Sequence, residues 1–239
     1  MINENETKNF SGWWAILFIF LTFNIAPIPF ALSIGLLGDW VYQNPITVNM
    51  TYMGDINMHP IADNLTTILS MTFIILFVLW RMQKRNIPFS DLGSLDIKKK
   101  DVLFGTLFLA LFIALEELYM WVLGIEMPEG FIEFMLSEPL ILGLISVVII
   151  APIAEEFIFR GFLFSQLQNT RLGPWGAITL SSLLWTVIHF QYEFKILLVL
   201  FVFGLFLGYL RMAYQSLSLP IILHAINNLF AFVMAYFNF

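Results

Sequence analysis

Residues 140–160 carry the sequence LILGLISVVIIAPIAEEFIFR, an apolar run that leads into two adjacent glutamates and an arginine. A membrane helix needs about 20 mostly apolar residues, and a charge inside it is costly unless it has a partner. Glu156 and Arg160 are four positions apart with the acid first, so they can pair along one helix face. Glu155 lies about 100° further around the helix and must face something else. A carboxyl group beside a like charge in apolar surroundings suits a general base near neutral pH.

The whole chain has the composition of a protein that crosses a membrane several times. Of its 239 residues, 59% are hydrophobic and only 12% are charged, whereas a soluble domain has roughly 25% charged residues. Disorder needs the opposite composition, and a net charge of −6 argues against nucleic-acid binding. The chain has no cysteine, which excludes disulfides, thiolate catalysis and cysteine-bound zinc.

Apolar segments predict an all-α fold, a polytopic transmembrane helical bundle of about seven spans. These segments are Trp13–Leu37, Leu65–Trp80, Val102–Gly124, Pro139–Phe164, Trp175–Phe190, Ile196–Leu210 and Leu217–Phe239. Residues 1–100 are predicted to form two helices, a polar loop and a basic cytoplasmic linker. The loop contains His59, which we expect to be a surface residue. Residues 101–239 are predicted to form a compact bundle with short connections.

The positions of lysine and arginine predict the orientation of the bundle. Six of the eleven basic residues lie in Arg81–Lys100, which places this linker in the cytoplasm. Seven alternating crossings then place Lys8, Arg171 and Arg211 on the same side, with the N-terminus inside and the C-terminus outside. Lys195 falls on the other side. We therefore expect a multi-pass protein of the cell membrane, in a prokaryotic plasma membrane.

Two further pairs of polar residues lie at helical spacing on later segments. Trp185 and His189 are four residues apart, so the indole can pack beneath the imidazole and orient it. His224 and Asn228 have the same spacing. Both side chains can donate hydrogen bonds, and donors aimed at one point suit a developing oxyanion.

The distances from a predicted turn relate the first two pairs to each other. Residues 171–174 have the composition of a turn between antiparallel helices. Glu155 lies 18 residues before Gly173, and His189 lies 16 after it. Both are therefore expected roughly 25 Å from the turn and level with each other.

The three motifs together resemble those of a known family. They are Glu-Glu-x-x-x-Arg at 155–160, aromatic-x-x-x-His at 185–189 and His-x-x-x-Asn at 224–228. They look like the motifs of the CPBP family, the CAAX-protease and bacteriocin-processing proteins, also called the Abi family. This family includes the type II CAAX prenyl endopeptidases. The resemblance covers roughly Leu140–Tyr236.

The resemblance implies an intramembrane endopeptidase with four catalytic residues. In that assignment Glu155 and His189 activate a water molecule. His224 and Asn228 form the oxyanion site. The implied partners are membrane lipid and a peptide or protein substrate at the membrane, prenylated or not. A non-enzymatic bacteriocin-immunity or regulatory membrane protein on the same fold is the alternative.

Three residues are expected to support this site. Glu156 with Arg160 holds the scaffold, and Trp185 forms an aromatic shelf where the family more often has phenylalanine. Glu155, His189 and His224 are also able to supply three ligands for a catalytic zinc. However, the sequence has no His-Glu-x-x-His motif, and asparagine suits an oxyanion better than a metal. We therefore favour a metal-free, glutamate-type protease with no cofactor.

Two other patterns have simpler interpretations. Glu116 and Glu117 mimic the first motif, but Trp121 takes the place of the arginine. We expect these glutamates to lie at a helix end that approaches an acidic outer loop. The alternative is that one of them lines the substrate side of the site. The Gly-x-x-x-Gly pattern of Gly204 and Gly208 indicates close helix packing, and no chemistry is assigned to it.

Overall fold

A computed structural model describes residues 25–33, 49–51, 55–57, 60–136 and 139–237. The predictions for Lys8 and His59, and most of the predicted span Trp13–Leu37, lie outside these residues. Residues 25–33, inside that span, are almost entirely helical. Two short strands follow, β1 (Asn49–Thr51) and β2 (Asp55–Asn57), which pair antiparallel. Apart from this hairpin, the regular structure of the described residues is helical.

Seven helices build the rest of the described chain. They are α1 (Pro60–Lys84), α2 (Lys99–Leu123), α3 (Glu129–Met135), α4 (Leu140–Leu167), α5 (Gly173–Val187), α6 (Phe194–Tyr214) and α7 (Ser218–Phe237). A short 3-10 turn, Phe89–Leu92, lies in the linker between α1 and α2. The all-α fold is confirmed by this architecture.

Helix α4 is the central helix of the bundle. In the most apolar 18-residue stretch of α4, 56% of the residues are buried, whereas only 11% are buried in the corresponding stretch of α2. Helix α2 instead exposes leucine and phenylalanine side chains along its length, as expected for a helix at the lipid boundary. The motif residues of α4 are therefore surrounded by protein.

Helix α4 changes its hydrogen-bonding pattern twice. It is π-helical over Leu144–Ile150 and again over Phe157–Leu163, with the α-helical turn Ala151–Glu156 between them. Proline at position 152 lacks the amide hydrogen that a regular helix would use. Wide π turns often occur at functional sites. The two glutamates of the first motif lie at the end of the α-helical turn.

The two linkers at one end of the bundle are joined by hydrogen bonds. Arg211, which is 2% exposed, donates from Nε to the carbonyl oxygen of Leu92 at 3.1 Å. The backbone of Ser94 pairs with Gln215 and Leu217 at 2.9 Å each. The α1–α2 and α6–α7 connections therefore lie at the same end, as the basic residues predict. Which membrane face this end occupies stays a prediction.

The lengths of the helices test the seven predicted spans. Five described helices are long and apolar enough to cross a membrane. They correspond to the predicted segments that begin at Leu65, Val102, Pro139, Ile196 and Leu217. The segment Trp175–Phe190 corresponds to α5, which has 15 residues and ends at Val187. Such a helix extends only about 22 Å. The count of seven spans and the inside position of the N-terminus stay predictions.

Candidate active site

The carboxylate of Glu156 connects two of the three motifs. Its Oε1 accepts hydrogen bonds from Arg160 Nη1 and from His224 Nδ1, both at 2.9 Å. Glu156 and Arg160 are fully buried, at 0% exposure. Arg160 Nη2 also donates to the carbonyl oxygen of Gly204 at 3.1 Å. The pairing of Glu156 with Arg160 along one helix face is as the spacing predicts, and His224 is an additional partner from α7.

Glu155 finds its partners on other helices. Its Oε2 accepts a hydrogen bond from Trp185 Nε1 at 2.6 Å. The Nε2 atom of His224 lies 4.0 Å from the same oxygen. Because His224 Nδ1 donates to Glu156, Nε2 is the nitrogen that faces Glu155. A separation of 4.0 Å is too long for a direct hydrogen bond but fits a bridging water molecule.

His189 lies just beyond the helix on which the sequence places it. Helix α5 ends at Val187, and His189 belongs to the following turn. Its ring still meets Trp185, with ring centroids 4.9 Å apart and planes at 61°. Its Nδ1 donates to the carbonyl oxygen of Trp185 at 2.8 Å, which leaves Nε2 as an acceptor. Although both side chains are described, no hydrogen bond or ion pair joins Glu155 to His189, and Trp185 contacts both.

The two predicted oxyanion donors are only partly engaged within the protein. Asn228 donates one amide hydrogen to the carbonyl oxygen of Val147 at 2.9 Å, and its amide group has a second one. His224 is 3% exposed, and its ring meets Phe203 and Trp185 edge-on, each at 5.6 Å. The rings of Phe203 and Trp185 therefore hold the imidazole of His224 in place. The amide of Asn228 is held by the backbone of α4 at Val147.

The glycine pair of α6 contributes more to the site than packing alone. A Cβ atom at Gly208 would lie 2.9 Å from Ile178 Cγ2, which confirms close packing of α6 on α5. At Gly204 a Cβ would lie 3.0 Å from Ser182 Cβ and 3.1 Å from Arg160 Nη2. The Gly204 carbonyl is also the second acceptor for that guanidinium. Close packing is therefore confirmed at both glycines, and Gly204 in addition supports the buried arginine.

Tyr192 is a residue of this region that the motifs do not include. Its ring stacks on His189, with centroids 6.2 Å apart and planes at 18°. Burial raises the pKa of Tyr192 to about 12, and the charge of Glu155 adds to the increase. The phenol therefore stays protonated at neutral pH. Its only signal in the sequence is an aromatic residue three positions after the motif histidine.

Glu155, His189 and His224, the alternative zinc ligands of the sequence analysis, are not gathered around one point in the structure, and metal dependence stays a prediction. Within the described ranges, no group of three or more His, Asp or Glu side chains has the geometry to hold a metal ion. Glu116 is half-buried and Glu117 is exposed on α2, and although both are described, no hydrogen bond or ion pair joins either of them to the motif residues. A cavity of about 310 Å³ lies at the linker end, between Ser94 and Leu219, away from the three motifs.

Comparison with known proteins supports the family resemblance. Residues 137–230 match the family model "Type II CAAX prenyl endopeptidase Rce1-like". The match contains all three motifs and confirms the resemblance to the CPBP family over these residues.

Comparisons with curated proteins and with solved structures give less information about this chain than the family match does. The chain is 34% identical over 86 residues to an "Uncharacterized 24.3 kDa protein" of Escherichia coli. This stretch covers 35% of the chain and 40% of that protein, so the chain spans about two-fifths of the relative's length. No solved structure matches the chain significantly.

Proposed function

We propose that this chain is an intramembrane endopeptidase of the CAAX type, of the glutamate class, that cleaves a peptide bond near the membrane boundary. The observation that carries the proposal is the distance of 4.0 Å between Glu155 Oε2 and His224 Nε2. These two buried groups are held by the aromatic side chains of Trp185 and Phe203. A water molecule that contacts both atoms from one side meets a carboxylate that is able to accept its proton. The match to the prenyl-endopeptidase family over residues 137–230 supports the same reaction class.

Glu155 is the proposed general base. It removes a proton from the attacking water, which then adds to the carbonyl carbon of the scissile peptide bond. Its Oε2 is held by Trp185 Nε1 at 2.6 Å, so the carboxylate has a fixed position before the reaction begins. His189 accepts a hydrogen bond at Nε2 from the second hydrogen of this water, which stays on the attacking oxygen, because its Nδ1 donates to the Trp185 carbonyl oxygen.

His224 and Asn228 stabilise the tetrahedral oxyanion in this proposal. His224 donates to the oxyanion from Nε2, while its Nδ1 donates to the Glu156 carboxylate at 2.9 Å and so fixes the ring. Asn228 donates the amide hydrogen that is not used by Val147. Removing one such donor commonly lowers kcat by about 10²–10³. Glu155 finally returns its proton to the leaving amine, which releases the two peptide products.

The test is cleavage of a reporter peptide by the full chain in lipid vesicles. The probe is a fluorogenic peptide with a prenylated C-terminal CAAX sequence, compared with the same peptide without the prenyl group. We expect Glu155→Gln and His189→Ala to abolish turnover while the folded fraction stays unchanged. Glu193→Gln, the same change at an exposed carboxylate, is the matched control. Full activity in both active-site variants would exclude this mechanism.

Metal dependence is tested with the same reporter. A glutamate-type protease keeps its activity after exhaustive treatment with a zinc chelator. Loss of activity that added zinc restores would contradict the metal-free mechanism.

The Glu155→Gln variant also distinguishes an enzyme from a non-enzymatic immunity protein. If Glu155→Gln still confers a bacteriocin-resistance phenotype, catalysis is not required for that role.

A further inference from the structure

The position of His189 is not fixed by a helix. Helix α5 ends two residues earlier, and the amide of His189 donates to the Thr186 carbonyl oxygen at 3.0 Å as part of a turn. A histidine in a turn has more freedom than one inside a helix, because fewer backbone hydrogen bonds hold it. Other contacts must therefore hold the imidazole for it to act on a water molecule.

Tyr192 supplies two such contacts. Its amide donates to the His189 carbonyl oxygen at 3.0 Å, which closes the turn. Its ring stacks on the imidazole at 6.2 Å and 18°, while Trp185 meets the same imidazole edge-on at 4.9 Å. Both geometries are favourable for aromatic pairs. The imidazole is thus contacted by one ring from α5 and one from the turn.

The Tyr192 ring is itself supported by a separate helix. Phe131 of α3 meets it edge-on, with centroids 6.0 Å apart and planes at 79°. Helix α3 is anchored at its other end, where Met135 is fully buried and Asn64 donates to the Phe134 carbonyl oxygen at 3.2 Å. A chain of ring contacts therefore runs from an anchored helix to the imidazole.

We propose that Tyr192 is a positioning residue for His189. Its ring holds the imidazole in the orientation in which Nδ1 donates to Trp185 and Nε2 is free to accept. The role assigned to Nε2 in catalysis rests on the proposed function, whereas the orientation and tautomer of His189 do not. The ring of Tyr192, rather than its hydroxyl group, makes the contact.

The first experiment reads the histidine tautomer directly and needs no substrate. The chain has three histidines, so selective nitrogen-15 labelling gives three ring spectra in detergent micelles. We expect His189 to be the Nδ1–H tautomer in the wild type and in Tyr192→Phe. Tyr192→Leu should give a mixture of both tautomers, with the His224 signals unchanged. An unmixed Nδ1–H spectrum in Tyr192→Leu would overturn the proposal.

The second experiment uses the prenylated reporter peptide. Aromatic pairs contribute a factor of about three to ten, so kcat of Tyr192→Leu should fall by this amount with KM unchanged. Tyr192→Phe should restore kcat to within about twofold of the wild type. Tyr236→Leu, the same change at an exposed tyrosine, is the control. An equal loss in the leucine and phenylalanine variants would assign the effect to the hydroxyl and contradict the proposal.

Two outcomes keep the proposals separate. If the wild type cleaves no peptide but the tautomer shifts as expected, the proposed function fails and the positioning role stands. If Tyr192→Leu does not fold, Phe131→Leu removes the support of the tyrosine ring from α3 instead. We expect a smaller tautomer shift of the same kind, and its absence in a folded protein would overturn the proposal.

Discussion

Replacing Arg160 with methionine tests the buried ion pair behind the active site. Methionine keeps an unbranched, apolar side chain but removes the guanidinium group. The change breaks the hydrogen bond to Glu156 Oε1 at 2.9 Å and the one to the Gly204 carbonyl oxygen at 3.1 Å. It also removes the cation from its position 5.0 Å from the Trp185 ring. The Glu156 carboxylate is then left in a fully buried position with His224 as its remaining donor.

The expected loss of stability is large because only one of two buried charges is removed. Breaking a buried ion pair in this way costs about 3–5 kcal/mol. Glu156→Gln should have a similar cost, since it removes the carboxylate that pairs directly with the buried guanidinium. In the double variant both charges are gone, and glutamine still accepts from His224 Nδ1. We therefore expect the double variant to lose about 1–3 kcal/mol, mainly because the hydrogen bond from the guanidinium to the Gly204 carbonyl group is gone.

The assay is equilibrium unfolding of the four proteins in mixed micelles, analysed as a double-mutant cycle. The sum of the single losses should exceed the double loss by at least about 2 kcal/mol. Arg171→Met is the matched control, because this arginine is exposed, and its loss should stay within about 0.5 kcal/mol. Additive losses, or a loss below about 1 kcal/mol for Arg160→Met, would refute the buried-pair reasoning.

Three further predictions concern other parts of the bundle. Gly204→Ala should lower the free energy of unfolding by about 1–3 kcal/mol, because the new methyl group would lie 3.0 Å from a serine side chain. Gly130→Ala, where nothing lies within 4 Å, should not be destabilising in the same titration. Arg211→Gln should release the Leu92 carbonyl group and speed amide hydrogen exchange in the α1–α2 linker, and unchanged exchange would contradict this. The raised pKa of Tyr192, about 12, means that its stabilising contribution is complete below about pH 10 and is lost as pH rises towards 12. Tyr192→Phe should therefore lose less stability than the wild type over this alkaline range, as measured by unfolding at each pH.

Contacts along a single helix could be predicted from the sequence. The pair Glu156–Arg160 depends only on helical spacing, and its atoms meet at 2.9 Å. The ring contact of Trp185 with His189 has the same local origin. It survives although the helix ends between them, because the turn keeps the two rings close. The predicted spans agree with five long helices for a related reason, since length and hydropathy are local properties.

Contacts between helices could not be predicted, because they depend on how each helix is rotated about its axis. The spacing on α7 associates His224 with Asn228, but packing turns the imidazole towards Glu156 and the amide towards Val147. The hydrogen bond from Trp185 to Glu155 joins two helices in the same way. The end of α5 was also missed, since the apolar sequence continues to Phe190 beyond the helix.

The two π-helical segments of α4 have a consequence for how this site tolerates changes in chain length. Removing one residue from a regular α-helix rotates everything beyond the deletion by about 100°. A π turn holds more residues than an α turn, so a deletion within Leu144–Ile150 or Phe157–Leu163 is absorbed by conversion to α-helix. A single-residue deletion in either segment should therefore leave the direction of the two carboxylates unchanged relative to the ends of the helix, whereas a deletion within the α-helical turn Ala151–Glu156 should not.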